Sequence, residues 1–229
     1  GARIATASDD ATAKVWDATT GKLVTTMRGH SHDVVDLAYL GDGARLATAS
    51  WDQTAKIWDA STGELVATLQ GHDTELTALA VSPDGARVAT SSGDKTVRLW
   101  DSTTGKTVAI LRGHEDNILD VDYSPDGTRI ATASWDYTAR IWDATTGRLV
   151  ATFINHDDDV TSLVFSPDGA RVATASRDAL VRVWEANVDD SITTIKGHAN
   201  DVRRVAFAAR NARVVTTSLD QTAKVWDAQ

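Results

Sequence analysis

An all-β fold built from small antiparallel sheets is predicted by three observations. Tryptophans recur at Trp16, Trp58, Trp100, Trp142, Trp184 and Trp226, each 42 residues after the last. Histidines keep the same step at His30, His72, His114, His156 and His198. Between these markers each period holds four short apolar runs separated by Gly, Asp, Ser and Pro, and no window carries a helical period.

Taken in order through the second period, Val34 to Leu40 is an apolar run that ends at Gly41-Asp42-Gly43. Arg45 to Ser50 follows and turns at Trp51-Asp52-Gln53. Thr54 to Trp58 leads into Ser61-Thr62-Gly63, and Glu64 to Leu69 closes the unit. Runs this short, joined by tight turns, read as an antiparallel meander. Ser-Pro-Asp-Gly at 82–85, 124–127 and 166–169 suits hairpin turns. The first run of each unit is apolar on both faces, with Leu76, Ala78 and Ala80 against Leu79 and Val81. Its sheet must therefore be sandwiched between neighbours, and small residues such as Ala47-Thr48-Ala49-Ser50 allow a close approach. Small sheets packed face to face around an axis meet both demands, which predicts a β-propeller of four-stranded blades.

Composition narrows the function. The 229 residues carry a formal net charge of −9 and no cysteine. A chain this long buries roughly 70–75% of its unfolded surface and needs no staples. Without cysteine there are no disulfides or thiolate metal sites, which points to a reducing, cytoplasmic setting. No apolar run approaches the ~18 residues of a membrane span. The acidic balance argues against nucleic acid, whose phosphates require clustered Lys and Arg. The only methionine is Met27, and Gly1-Ala2-Arg3 repeats the turn residues Gly43-Ala44-Arg45. The whole of 1–229 is thus expected to be one partial propeller, an excerpt of a longer chain that starts and ends within a blade. Open inner and outer edges are then expected to pair with missing sequence or with another chain.

Each full unit also places His, Ser, Asp and Trp at fixed offsets. The sets are His30, Ser50, Asp52 and Trp58; His72, Ser92, Asp94 and Trp100; His114, Ser134, Asp136 and Trp142. The last two are His156, Ser176, Asp178 and Trp184, then His198, Ser218, Asp220 and Trp226. Ser, His and Asp together raise the idea of nucleophilic hydrolysis. Repetition decides against it, because an enzyme needs one activated nucleophile beside one oxyanion hole. A buried indole N–H needs an acceptor, and a Ser hydroxyl relaying to an imidazole held by a carboxylate supplies one. The sets are therefore expected to be structural tetrads, with no catalytic residue. No His pair has metal-ligand spacing, Asp157-Asp158-Asp159 reads as a solvated turn, and no glycine loop cradles phosphate. No cofactor or metal is expected.

Gly-His, the Ser-x-Asp turn and Trp-Asp at this spacing resemble the WD-repeat family along essentially the whole chain. The resemblance implies a WD-repeat β-propeller with about five and a half blades present, the first lacking its inner strand and the last its outer strand. It also implies that the residue before each turn Asp lies on the rim of the top face, together with residues three and five after each His. Trp51 and Trp135 break the repeat at the first position, where Asp9, Gly93, Arg177 and Leu219 stand in other units. At the others stand Asp33 and Val35, Glu75 and Thr77, Asn117 and Leu119, Asp159 and Thr161, Asp201 and Arg203. Aperiodic residues on loops are the candidates for binding, and exposed tryptophan is a frequent hot spot. A protein or peptide partner, basic for the acidic fringe, is expected in a scaffold or sensor module of a larger soluble protein. Arg177, Arg203 and Arg204 offer a local basic patch for an acidic or phosphorylated segment. The competing readings are a self-assembling propeller whose open edges pair between chains, and an enzyme using the channel. The last units drift, with Glu185 for Asp, Val188-Asp189-Asp190 for the Thr-Gly turn and Ala208-Ala209-Arg210-Asn211 for Ser-Pro-Asp-Gly.

Overall fold

The computed structural model describes residues 2–41, 43–186, 192–208 and 213–227. Among them lie only β-strands, in two compact units, residues 1–112 and 113–229. The turn at Asp42, Val188-Asp189-Asp190 and most of the drift at 208–211 lie outside the described residues.

In the first unit, β1 (Arg3–Ala7), β2 (Thr12–Asp17) and β3 (Leu23–Arg28) make a three-stranded sheet. Two four-stranded sheets follow. One is β4 (Val34–Leu40), β5 (Arg45–Ser50), β6 (Thr54–Asp59) and β7 (Leu65–Gln70). The next is β8 (Leu76–Val81), β9 (Arg87–Ser92), β10 (Thr96–Asp101) and β11 (Thr107–Arg112).

The second unit holds β12 (Ile118–Tyr123), β13 (Arg129–Ser134), β14 (Ala139–Asp143) and β15 (Leu149–Phe153). Its second sheet is β16 (Val160–Phe165), β17 (Arg171–Ser176), β18 (Val181–Glu185) and β19 (Ile192–Ile195). The last sheet is three-stranded, β20 (Val202–Phe207), β21 (Arg213–Ser218) and β22 (Ala223–Asp227). Every pairing is between sequence neighbours and antiparallel, as the turn spacing predicts. The predicted runs of the second period match β4 to β7 to within a residue at each end.

The core lies between sheets. Leu40, Ala47, Ala49, Ile57 and Leu69 of β4 to β7 pack on Leu76, Leu79, Val88 and Trp100 of the next sheet. In the second unit Ala131, Ala133, Ile141 and Phe153 pack on Val160, Leu163, Val172 and Trp184. Ala47, Ala49, Ala89, Ala131, Ala133, Ala173 and Ala175 on the second strands of the four-stranded sheets have no exposed surface, so neighbouring sheets approach closely there. Burial on both faces, together with strands of 4–7 residues, explains why these sheets cannot stand alone.

Each first strand carries a β-bulge against the second. Val34 pairs with Ser50 and Asp36 with Ala49, leaving Val35 as the extra residue. Thr77, Leu119, Thr161 and Arg203 are the extra residues in the other four. A bulge re-aims a side chain at the end of a strand, and these are the positions five after each His.

Candidate functional site

The periodic polar residues form a hydrogen-bonded chain inside each sheet that has a His. Trp58 Nε1 donates to Thr48 Oγ1 at 2.8 Å, and that hydroxyl meets His30 Nε2 at 2.7 Å. His30 Nδ1 meets Asp52 Oδ2 at 2.8 Å. One proton assignment satisfies every member with neutral histidine: indole N–H to Thr, Thr O–H to Nε2, and Nδ1–H to the carboxylate. The same links run through Thr90, Thr132, Thr174 and Thr216 to His72, His114, His156 and His198. In the opening sheet Trp16 donates to Thr6 at 3.0 Å.

The expected role of Ser in these tetrads is corrected. Thr48 and Ser50 share one face of β5, but Ser50 sits at its end, against the turn. Its hydroxyl accepts from Asp52 N–H at 3.0 Å and donates to His32 C=O at 3.0 Å. Ser92, Ser134, Ser176 and Ser218 likewise accept from the N–H of Asp94, Asp136, Asp178 and Asp220. The relay hydroxyl is therefore the Thr two residues earlier, and Ser holds the turn.

Electrostatics favour the neutral-His, ionised-Asp state. Burial pushes the His114 and His156 imidazoles below their ordinary value, outweighing the pull of Asp136 and Asp178. Burial opposes ionisation of Asp94, yet hydrogen bonds from His72 and Thr96 hold its carboxyl well below the usual range. The order Thr–His–Asp resembles a nucleophile, base and orienting acid, but the Thr48, Thr90, Thr132 and Thr174 side chains are fully buried beneath an indole. No substrate reaches them.

A second, half-buried device escaped the sequence reading. Asp36 Oδ2 accepts from Leu79 N–H of the next sheet at 2.8 Å. In the second unit Asp120 takes Leu163 N–H at 3.0 Å and Asp122 takes Phe165 N–H at 2.9 Å. These carboxylates tie one first strand to the next; acidic residues inside an apolar run were the signal. Burial pushes Asp122 up to about 6, opposed by the Phe165 N–H and assisted by the charge of Asp120. The folded state therefore keeps a proton that the unfolded state releases near 3.8, so stability falls as pH rises from about 4 to 6 and stays reduced above that. Asp122→Asn keeps an acceptor for Phe165 and is expected to recover on the order of 2–3 kcal/mol at pH 7.5. Melting curves of both proteins should converge at about pH 4 and separate by pH 7, with Asn the more stable.

The residues expected on the rim fall into two different settings. In the first unit Trp51 N–H donates to Asp33 C=O at 3.1 Å, while its side chain is 47% exposed. The His32 ring stands 5.6 Å away, with Nδ1 3.0 Å from Asp33 Oδ1. Gly93 N–H donates to Glu75 C=O, and Glu75 is exposed. In the second unit Trp135 and Arg177 N–H donate to Asn117 and Asp159 C=O at 2.9 and 3.0 Å. There the Arg177 guanidinium lies 5.6 Å from the Trp135 ring centre, 2.7 Å from Asp159 and 3.8 Å from Asp201. Leu219 is 49% exposed and Arg203 is exposed, Leu119 is half-buried, and Thr161 is buried with its hydroxyl on Val202 C=O.

Two expectations change accordingly. The expected basic patch loses Arg177 as a free cation, because Arg177 pairs with Asp159 and lies 3.8 Å from Asp201, whereas Arg203 is exposed and Arg204, also exposed, lies 3.9 Å from Asp120. Trp135 is not an open anchor: Arg177 covers it, and its buried Nε1 has no acceptor among the described residues. The Asp157 backbone N–H donates to Asp178, the Asp158 carboxylate accepts from the Asp159 N–H and the Asp159 carboxylate pairs with Arg177, and no acidic or His group among the described residues converges as a metal site.

The model of the WD domain, G-beta repeat matches residues 21–59, 63–101, 105–143, 147–185 and 189–227. The chain belongs to the WD-repeat family. No curated protein matches it. Its six sheets are the blades of a WD-repeat β-propeller, and each match runs from the outer strand of one blade through the third strand of the next. WD repeats generally mediate protein–protein interaction.

Proposed function

We propose that this WD-repeat chain is a non-catalytic interaction module that binds a protein or peptide through the rim of its first unit. The observation that carries the reading is Trp51. The in-frame Trp58 and Trp100 are 1% exposed and hydrogen-bonded, whereas Trp51 is 47% exposed on a backbone pinned to Asp33. A large rigid side chain held in water on a fixed turn loses little freedom on binding. Asp9, Asp33 and Glu75 surround the turns of this unit with negative charge, which favours a basic partner. A reducing cytoplasmic setting and fusion to further domains belong to the same proposal.

Capture from lysate with wild-type, Trp51→Ala and Trp135→Ala baits, read by mass spectrometry, tests it. Trp51→Ala is expected to melt within about 0.5 kcal/mol of wild type and to lose a defined set of captured proteins. Trp135→Ala is expected to lower stability instead, by about 1 kcal/mol, because it removes the ring beneath Arg177. Unchanged capture by folded Trp51→Ala would move the search away from this rim.

A further inference from the structure

The two units contain the same rim site in two states, one filled by the chain itself and one open. In the second unit, Trp135, Arg177 and Asp159 form a stack and an ion pair. Residues 84 positions earlier are Trp51, Gly93 and Glu75. The backbone frames correspond: Trp51 and Gly93 N–H donate to Asp33 and Glu75 C=O at 3.1 and 3.2 Å, as Trp135 and Arg177 do to Asn117 and Asp159. The blades are tied alike, by Asp36 on Leu79 N–H and by Asp120 on Leu163 N–H. Both bulges place a threonine as the extra residue, Thr77 and Thr161. The carboxylate is Glu75 in place of Asp159, and the cation is missing, since Gly93 stands where Arg177 would.

We infer that Trp51 and Glu75, on either side of Gly93, form a receptor for the guanidinium of an arginine side chain supplied by a partner. The inference rests on the binding rim proposed above and names the chemistry of its partner. Arg177 is the internal precedent for the ligand: a planar cation 5.6 Å from an indole ring centre, with Nη1 2.7 Å from the Asp159 carboxylate. Removing it leaves an aromatic surface and a carboxylate that attract the same group. Glu75 forms no ion pair among the described residues, and nearly half of Trp51 is exposed even with His32 against it. Gly93 has no side chain to block an approaching main chain. A guanidinium fits better than an ammonium, because it stacks flat and donates to the carboxylate from one edge.

The test follows the Trp51 indole N–H resonance of 15N-labelled protein during titration with acetyl-Gly-Arg-Gly-amide and with its citrulline isostere. The arginine peptide is expected to shift Trp51 saturably and the neutral citrulline peptide to bind at least about tenfold more weakly. Gly93→Arg should abolish the response by supplying an internal guanidinium, while the other indole resonances stay in place. Arg177→Gly should give Trp135 a response that it lacks in wild type. A Trp51 resonance unmoved at about 10 mM peptide, equal response to citrulline, or full binding by Gly93→Arg would overturn the inference. If capture depends on Trp51 while the arginine peptide leaves its resonance unmoved, the binding rim stands and the guanidinium receptor falls.

Discussion

Replacing His72 with alanine is expected to lower the melting temperature by about 6–12 °C, corresponding to ~3 kcal/mol at roughly 2–4 °C per kcal/mol for a chain of this size. The imidazole is the middle of its network. Without it Thr90 loses the acceptor at 2.9 Å and Asp94 loses the N–H at 2.7 Å. Each unsatisfied buried group costs about 1–3 kcal/mol, and the ring also leaves a void 6.3 Å from the Trp100 ring centre. Thr90→Val is expected to cost about 1–3 kcal/mol, since it strips the Trp100 indole of the hydroxyl that accepts its N–H. Scanning calorimetry separates these outcomes; a His72→Ala shift under about 2 °C would mean that the network contributes little to holding the blade.

Gly85→Ala is expected to be at least as damaging, for a different reason. Gly85 closes the Ser82-Pro83-Asp84-Gly85 hairpin turn, with its N–H on Ser82 C=O at 2.7 Å and φ at +70°. A side chain in that left-handed region costs about 1–2 kcal/mol. A Cβ would also stand 2.8 Å from the Gly41 nitrogen and 2.9 Å from its Cα, and that backbone belongs to the preceding blade. Forcing the blades apart adds about 1–3 kcal/mol. Gly43→Ala is the control: its φ is +76°, but nothing lies within 4 Å of its Cβ. Urea unfolding should therefore place Gly43→Ala about 1–2 kcal/mol below wild type and Gly85→Ala about 2–5 kcal/mol below. Equal losses would show that the close approach of the two turns carries no energy.

Much of this architecture was legible because its signals are one-dimensional. The 42-residue step, the turn residues and the doubly apolar first runs locate strands to within a residue, since each depends on local chemistry alone. The relay hydroxyl was not legible. Thr48 and Ser50 recur at the same step on the same strand face, and only the position of Trp58 across from Leu46 decides that Thr lies within its reach. Bulges at Val35, Thr77, Leu119, Thr161 and Arg203 were likewise hidden, because they are properties of pairing register. The residues proposed for the rim stand out in the sequence by loss of periodicity, but their state does not. Arg177 counts as free charge in a sequence, and only the placement of Trp135, Asp159 and Asp201 around it shows that it is engaged.

The division between scaffold and binding rim is tested most directly by hydrogen exchange of the indole N–H groups, resolved residue by residue. Trp58, Trp100, Trp142 and Trp184 donate to a buried threonine and are at most 4% exposed. Their indole protons should exchange only through blade opening, many-fold more slowly than free indole. Trp51 should exchange at close to the free rate, because its side chain stands in water on a fixed turn. Protection of Trp51 equal to that of Trp100 would contradict the account, making Trp51 part of the scaffold and leaving the first unit without its proposed anchor.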